Sequence, residues 1–193
     1  MTKVLFELKI IPLFSLAFSI KKRNFAAINY KMNNDYDGNI TSCPYIYKRY
    51  MDDFGVRIDE MKLHKLLYFT QRECLIQKGE PMFDAQFKAW KYGPVMVQIR
   101  QHYKNDSLPE LMDKEQVVQY EPVFDMVFKT YAPQKSWSLS TLTHGEYSWK
   151  HAREGYDEQN SCEVEMKTED IMVDANRVRE RRAVLRQLNL YTA

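Results

Sequence analysis

The sequence predicts a mainly α chain: a compact helical domain with room for one short β element around residues 83–92. Three observations carry this. Apolar residues recur at helical spacing in several windows. Residues that start and stop helices punctuate those windows. Period-two alternation of apolar and polar residues is confined to Phe83–Ala89.

Pro44–Phe54 (PYIYKRYMDDF) reads as a short amphipathic helix. Pro44 suits a first turn, Ile46, Tyr47, Tyr50, Met51 and Phe54 share helical spacing, and Gly55 can close it. Asp59–Ile76 carries the strongest helical pattern. Asp59 is a good N-cap, and apolar residues at 61, 63, 66, 67, 69, 74, 75 and 76 cover much of the circumference, as in a central helix. Gly79, after Lys78, suits a left-handed C-cap.

The alternation of Phe83–Ala89 indicates a strand, although Phe83, Phe87 and Trp90 also fit a helical repeat. Pro81 and Gly93-Pro94 bracket the segment tightly, which favours a short extended element turning at Tyr92-Gly93. Pro94 is then expected to open a helix over Val95–Lys104. After a loop at Asn105–Pro109, Glu121–Tyr131 reads as a helix that Pro133 stops. Ser136–Leu142 is a short helix, and a turn at Gly145 leads into another from Tyr147 to Arg153. Gly155–Val164 is a polar loop. Thr168–Leu188 closes the chain as a helix, acidic at its start (Glu169, Asp170) and basic towards its end (Arg177, Arg179, Arg181, Arg182, Arg186), an order that suits the macrodipole.

A chain of 193 residues can bury about two-thirds of its unfolded surface as one domain. Its three cysteines (Cys43, Cys74, Cys162) are odd in number and form no CxxC pair. That disfavours a disulfide framework or zinc knuckle and fits a cytoplasmic location. Residues 1–35 hold six basic and two acidic residues, and the rest of the chain holds 22 and 24. The larger part is thus slightly acidic, with no global field to recruit a phosphate backbone.

The apolar run Ile10–Ile20 is too short for a membrane span, which needs about 20 residues. Glu7 and the basic residues at 21–23 fit a signal peptide poorly. Residues 1–35 are expected to be an N-terminal extension outside the domain, or to precede a working start at Met32. A packed accessory segment and a targeting or interfacial segment are the alternatives. Residues 36–193 are expected to form a single domain.

The sequence has no GxSxG, Walker A or GxGxxG pattern. His144, Glu146 and His151 cluster, but their spacing matches neither HExxH nor a Cys/His zinc site. His144 is expected to hold its turn by a hydrogen bond, and Cys74 to be an inert buried thiol. Hence no catalytic, cofactor-binding or metal-binding residue is assigned. The arginine-rich C-terminal helix is interrupted by Glu180 and lacks interleaved aromatics, so it reads first as a solvated face. The stretch AWKYGPV (Ala89–Val95) sets Trp90 and Tyr92 beside a Gly-Pro corner, where the rings can pack the corner or anchor a partner.

Four segments resemble the Panacea antitoxin domain, the family of the SocA-like antitoxins and phage-associated GepA-like proteins. They are Lys62–Gln71 (KLHKLLYFTQ), Gly79–Phe83, Phe87–Val95 and Thr143–Lys150 (THGEYSWK), in the family's order and spacing. The resemblance spans about residues 42–175. The chain departs from the family's motifs at His64 (for Gln), Gly145 (for Ser) and Tyr147-Ser148 (for Asp-Pro). The resemblance implies an antitoxin that neutralises a cognate toxin, encoded beside it, by direct contact, often on a prophage. In some members a cellular protease is a further partner. The residues expected to bind a partner are Trp90, Tyr92, Gly93, Pro94, His144, Glu146 and Trp149. The function alternative is a nucleic-acid-binding phage regulator using the basic C-terminal helix.

Overall fold

Ser42–Phe54 forms the first helix, α1, in a computed structural model that describes residues 42–84, 86–107, 112–157, 159–160 and 162–190. The expectations for residues 1–35 fall outside the described residues. Pro44 sits in the first turn of α1, where a missing N–H costs no helical bond.

The central helix, α2 (Glu60–Lys78), starts and stops where the caps indicate. Asp59 Oδ1 accepts from the Lys62 N–H at 2.9 Å, and Gly79 adopts a left-handed φ of 76° while its N–H returns to Leu75 O. Four further helices follow the hairpin described below: α3 (Val97–Lys104), α4 (Lys114–Thr130), α5 (Ser136–His144) and α6 (Tyr147–Ala152). The last, α7, is Thr168–Gln187. Helix α2 packs against α1, α3, α4, α5 and α7. Leu63, Leu66 and Leu67 are fully buried there with Ile46, Phe124 and Val127, and Phe69 stacks on Tyr131 with ring centroids 4.0 Å apart.

So complete is this enclosure that polar side chains of α2 are buried as well, among them Lys62, His64, Lys65, Gln71, Arg72 and Glu73. Buried polar groups need partners. Lys62 Nζ donates to Tyr50 Oη at 3.0 Å and to Ala132 O at 3.2 Å. Glu73 receives both arms of Arg182 from α7, at 2.7 and 2.9 Å. Cys74 is buried in the same helix, and burial pushes its thiol up to about 12, as an inert thiol requires.

The β element is a hairpin, β1 (Phe87–Trp90) and β2 (Gly93–Val95), with a two-residue strand β3 (Glu165–Met166) on the far side of β1. All pairs are antiparallel, and Ala89 faces Pro94 while Phe87 faces Met166. Two expectations are corrected here, and one element is new. Pro94 lies within β2 instead of opening a helix, and α3 begins only at Val97. Strand β2 is an edge strand, where a residue without an N–H is tolerated. Helix α4 begins seven residues before the expected Glu121, because Asp113 caps it by accepting from the Gln116 N–H at 2.8 Å. Pro122 therefore lies inside that helix. Strand β3 was not expected at all.

Candidate functional site

The four motifs converge on one region, held together by contacts from side chains to backbone. Gln71, near the end of the first motif, clamps the turn of the second. Its Nε2 donates to Phe83 O at 2.8 Å, and its Oε1 accepts from Met82 N at 2.9 Å. The hairpin of the third motif is held from outside in the same manner. Trp149 Nε1 donates to Trp90 O at 3.0 Å, Ser140 Oγ to Tyr92 O at 2.9 Å, and Lys65 Nζ to Pro94 O at 3.2 Å. These bonds occupy carbonyls at the end of β1 (Trp90), in the turn (Tyr92) and on the edge strand β2 (Pro94), where backbone acceptors need partners from outside the hairpin.

Gly93 makes this convergence sterically feasible. Its φ is +98°, and a Cβ there would lie 2.4 Å from Thr143 Oγ1 and 2.8 Å from Lys65 Cε. The first, third and fourth motifs thus meet at a point where there is no room for a side chain.

The sequence-predicted residues divide into two groups. Trp90, Tyr92, Gly93, Pro94, His144 and Trp149 gather at the hairpin, with the His144 ring stacked on Trp149 at 4.2 Å. Glu146 instead turns inward to pair with the buried Arg72. Arg72 also donates to Tyr131 Oη, while Asp174 of α7 accepts from the N–H groups of Tyr147 and Ser148 at 2.7 and 2.9 Å. Burial pushes the Glu146 carboxyl up to about 7; Arg72 pulls against this and Asp174 adds to it. His151 faces Asp170 at 2.9 Å, so His144, Glu146 and His151 each engage a different neighbour.

Two features of the hairpin end stand out. The first is an exposed aromatic pair: Tyr92, 46% exposed, meets Trp137, 62% exposed, edge to face at 5.3 Å. The second is a cavity of about 420 Å³ between α2, the hairpin and α3, walled by Met61, Val95 and the rings of Trp90 and Tyr92. His64 and Lys65, each 1% exposed, line it from α2. Burial, with Lys65 and Arg100 nearby, lowers the His64 imidazole to about 3, so it is neutral at pH 7. Burial also lowers the Lys65 ammonium to about 7.

Among the described residues, His64 Nε2 and Trp90 Nε1 are buried with no hydrogen-bond partner. An unmet buried donor costs about 1–3 kcal/mol, so two in one cavity call for an explanation. His64, Lys65 and Trp137 were missed by the sequence reading. His64 and Lys65 of the first motif look like the polar side of an amphipathic helix, and Trp137 is one ring among many.

The family described as Antitoxin SocA-like, Panacea domain matches residues 63–150. The chain is also 45% identical over 40 residues to Antitoxin SocA of Caulobacter vibrioides (strain NA1000 / CB15N). That match covers 21% of this chain and 21% of the relative, so it spans only about a fifth of the relative's length. No solved structure matches the chain significantly. By these matches, and by the motifs that meet at the hairpin, residues 63–150 are similar to the Panacea domain of the SocA-like antitoxins.

Proposed function

We propose that this protein is an antitoxin that neutralises a cognate toxin by direct contact, and that the hairpin end is the contact face. The observation that carries the reading is the exposed Tyr92–Trp137 pair, which lies within the segment that matches the antitoxin family. Trp and Tyr are enriched at interface hot spots because they bring large apolar area with little side-chain entropy to lose. Both rings stand on elements that are fixed underneath: Ser140, on the Trp137 helix, donates to the Tyr92 carbonyl. The contact face is therefore pre-organised, which lowers the entropic cost of binding.

The proposal extends to a toxin encoded beside this gene, to carriage on a prophage, and to a cytoplasmic protein without catalytic function. A cellular protease is a further partner to test, on the precedent of some family members. Among the described residues, no helix is long and apolar enough to cross a membrane. The nucleic-acid reading is weaker at two of the five α7 arginines on which it rests. Arg182 is held by the buried Glu73, and Arg177 lies over the Tyr147 ring at 5.0 Å.

Co-expression with the product of the adjacent reading frame tests the reading. Growth should be restored, and the two proteins should co-elute as one complex in size-exclusion chromatography. Restored growth with no complex at micromolar concentrations would contradict neutralisation by contact.

A further inference from the structure

The unmet donors of the Trp90 cavity specify a ligand chemistry. Met96 N–H donates to His64 Nδ1 at 3.4 Å, so Nδ1 is the acceptor and the ring proton sits on Nε2. That Nε2–H has no partner, and the nearest acidic oxygen, Glu60 Oε1, is 4.0 Å away, beyond hydrogen-bond reach. Trp90 lines the same cavity, and its Nε1, which can only donate, is buried and unmet. Lys65 Nζ carries up to three protons and donates to Pro94 O.

The charges add a sign. Lys65, Lys91 and Arg100 line the cavity against one carboxylate, Glu60, which Arg100 already holds at 3.4 Å. The Arg100 guanidinium also covers the Trp90 ring at 4.8 Å, adding positive charge beside the indole. Donors outnumber acceptors, and cations outnumber anions.

We propose that this cavity is a carboxylate-recognition pocket, with His64 Nε2, Trp90 Nε1 and Lys65 Nζ as its donors. A carboxylate offers two oxygens with about four lone-pair sites, enough for all three, and its charge answers the cationic excess. A neutral amide would meet fewer of the donors and none of the charge. On the antitoxin reading, which this extension rests on, the carboxylate belongs to the toxin and enters beside the Tyr92–Trp137 pair. Aromatic contact then supplies area, and the pocket selects which acidic group is accepted.

The test uses the full chain with ¹⁵N-labelled tryptophan, in which Trp90, Trp137 and Trp149 give separate indole N–H resonances. The Trp90 signal is identified by its loss in Trp90→Phe. Acetate should shift that resonance saturably, acetamide should not, and the Trp149 indole should stay in place. Lys65→Met should weaken acetate binding at least tenfold, with the unchanged Trp149 signal reporting an intact fold. N-acetylglutamate α-amide and N-acetylglycine distinguish an acidic side chain from a chain end by which binds more tightly. Equal shifts with acetate and acetamide, or no shift at several hundred millimolar acetate, overturn the pocket. Because these measurements need no toxin, their failure is separate from a failure of the antitoxin reading, which growth rescue and co-elution decide.

Discussion

Gly93 and His64 are two residues whose environments leave little freedom. At Gly93 the positive φ and the closeness of Thr143 and Lys65 act together. Gly93→Ala should therefore destabilise the fold by about 2–4 kcal/mol in urea unfolding. Gly55→Ala, at a φ of +68° with nothing within 4 Å, should cost only about 1–2 kcal/mol. Equal costs at both sites would mean that the close approach at Gly93 is unimportant. His64 makes a pH-dependent claim. Its folded pKa lies below the ordinary value of 6.5, at about 3. The unfolded chain thus binds the proton more readily, and stability present above pH 6.5 is lost as pH falls towards 3. His64→Gln removes this loss while keeping an acceptor for the Met96 N–H and a donor towards the cavity. Between pH 7 and pH 4.5 the parent should lose about 2–3 kcal/mol more than the variant. The raised Glu146 works in the opposite direction, its contribution being lost as pH rises through about 7, but both proteins share it. Parallel pH profiles would show that His64 is not buried as described.

Helices were legible in the sequence where caps and periodicity coincide, as at Asp59 and Gly79. Proline is a poorer guide, because Pro94 and Pro122 do not mark helix boundaries. Pro94 could open a helix on local grounds, and only its pairing with Ala89 shows it to be a strand residue. Pro122 was assigned to the start of a helix whose real cap is Asp113. Inside α4 it leaves the carbonyl four residues earlier without its helical N–H. Pro122→Ala should therefore raise stability by about 1–2 kcal/mol, even after the greater freedom it gives the unfolded chain. A fall in the urea midpoint would show that the proline is required there. Strand β3 was invisible because two residues carry no periodicity, and its partner Phe87 lies far away in sequence. The centrality of α2 was readable from its broad apolar face. Leu66→Ala or Leu67→Ala, both at fully buried positions, should cost about 2–5 kcal/mol each. Less than about 1 kcal/mol for both would remove α2 from the core. Of the candidate site, the hairpin residues and the His144–Trp149 pair were legible because their motifs stand out. Lys65 and His64 were not, since a cation on a helix normally marks a solvated face, and here the enclosing elements come from distant parts of the chain.

At the scale of the whole molecule, the residue contacts and the elements serve one arrangement. A buried helix carries polar side chains outward to grip a hairpin, and two exposed rings, Tyr92 of the hairpin turn and Trp137 of α5, stand beside a donor-lined cavity. The central claim is that this face binds the toxin and that the remainder holds it rigid. The most direct measurement compares the affinity of a Tyr92→Ala/Trp137→Ala variant for the co-purified toxin with that of the parent, alongside the melting temperature of the free protein. Both side chains are largely exposed, so melting should change by no more than about 2–4 °C. Affinity should fall at least tenfold, with growth rescue lost in step. Unchanged affinity, or a loss of affinity that merely follows a collapse in melting temperature, would contradict a binding role for this face.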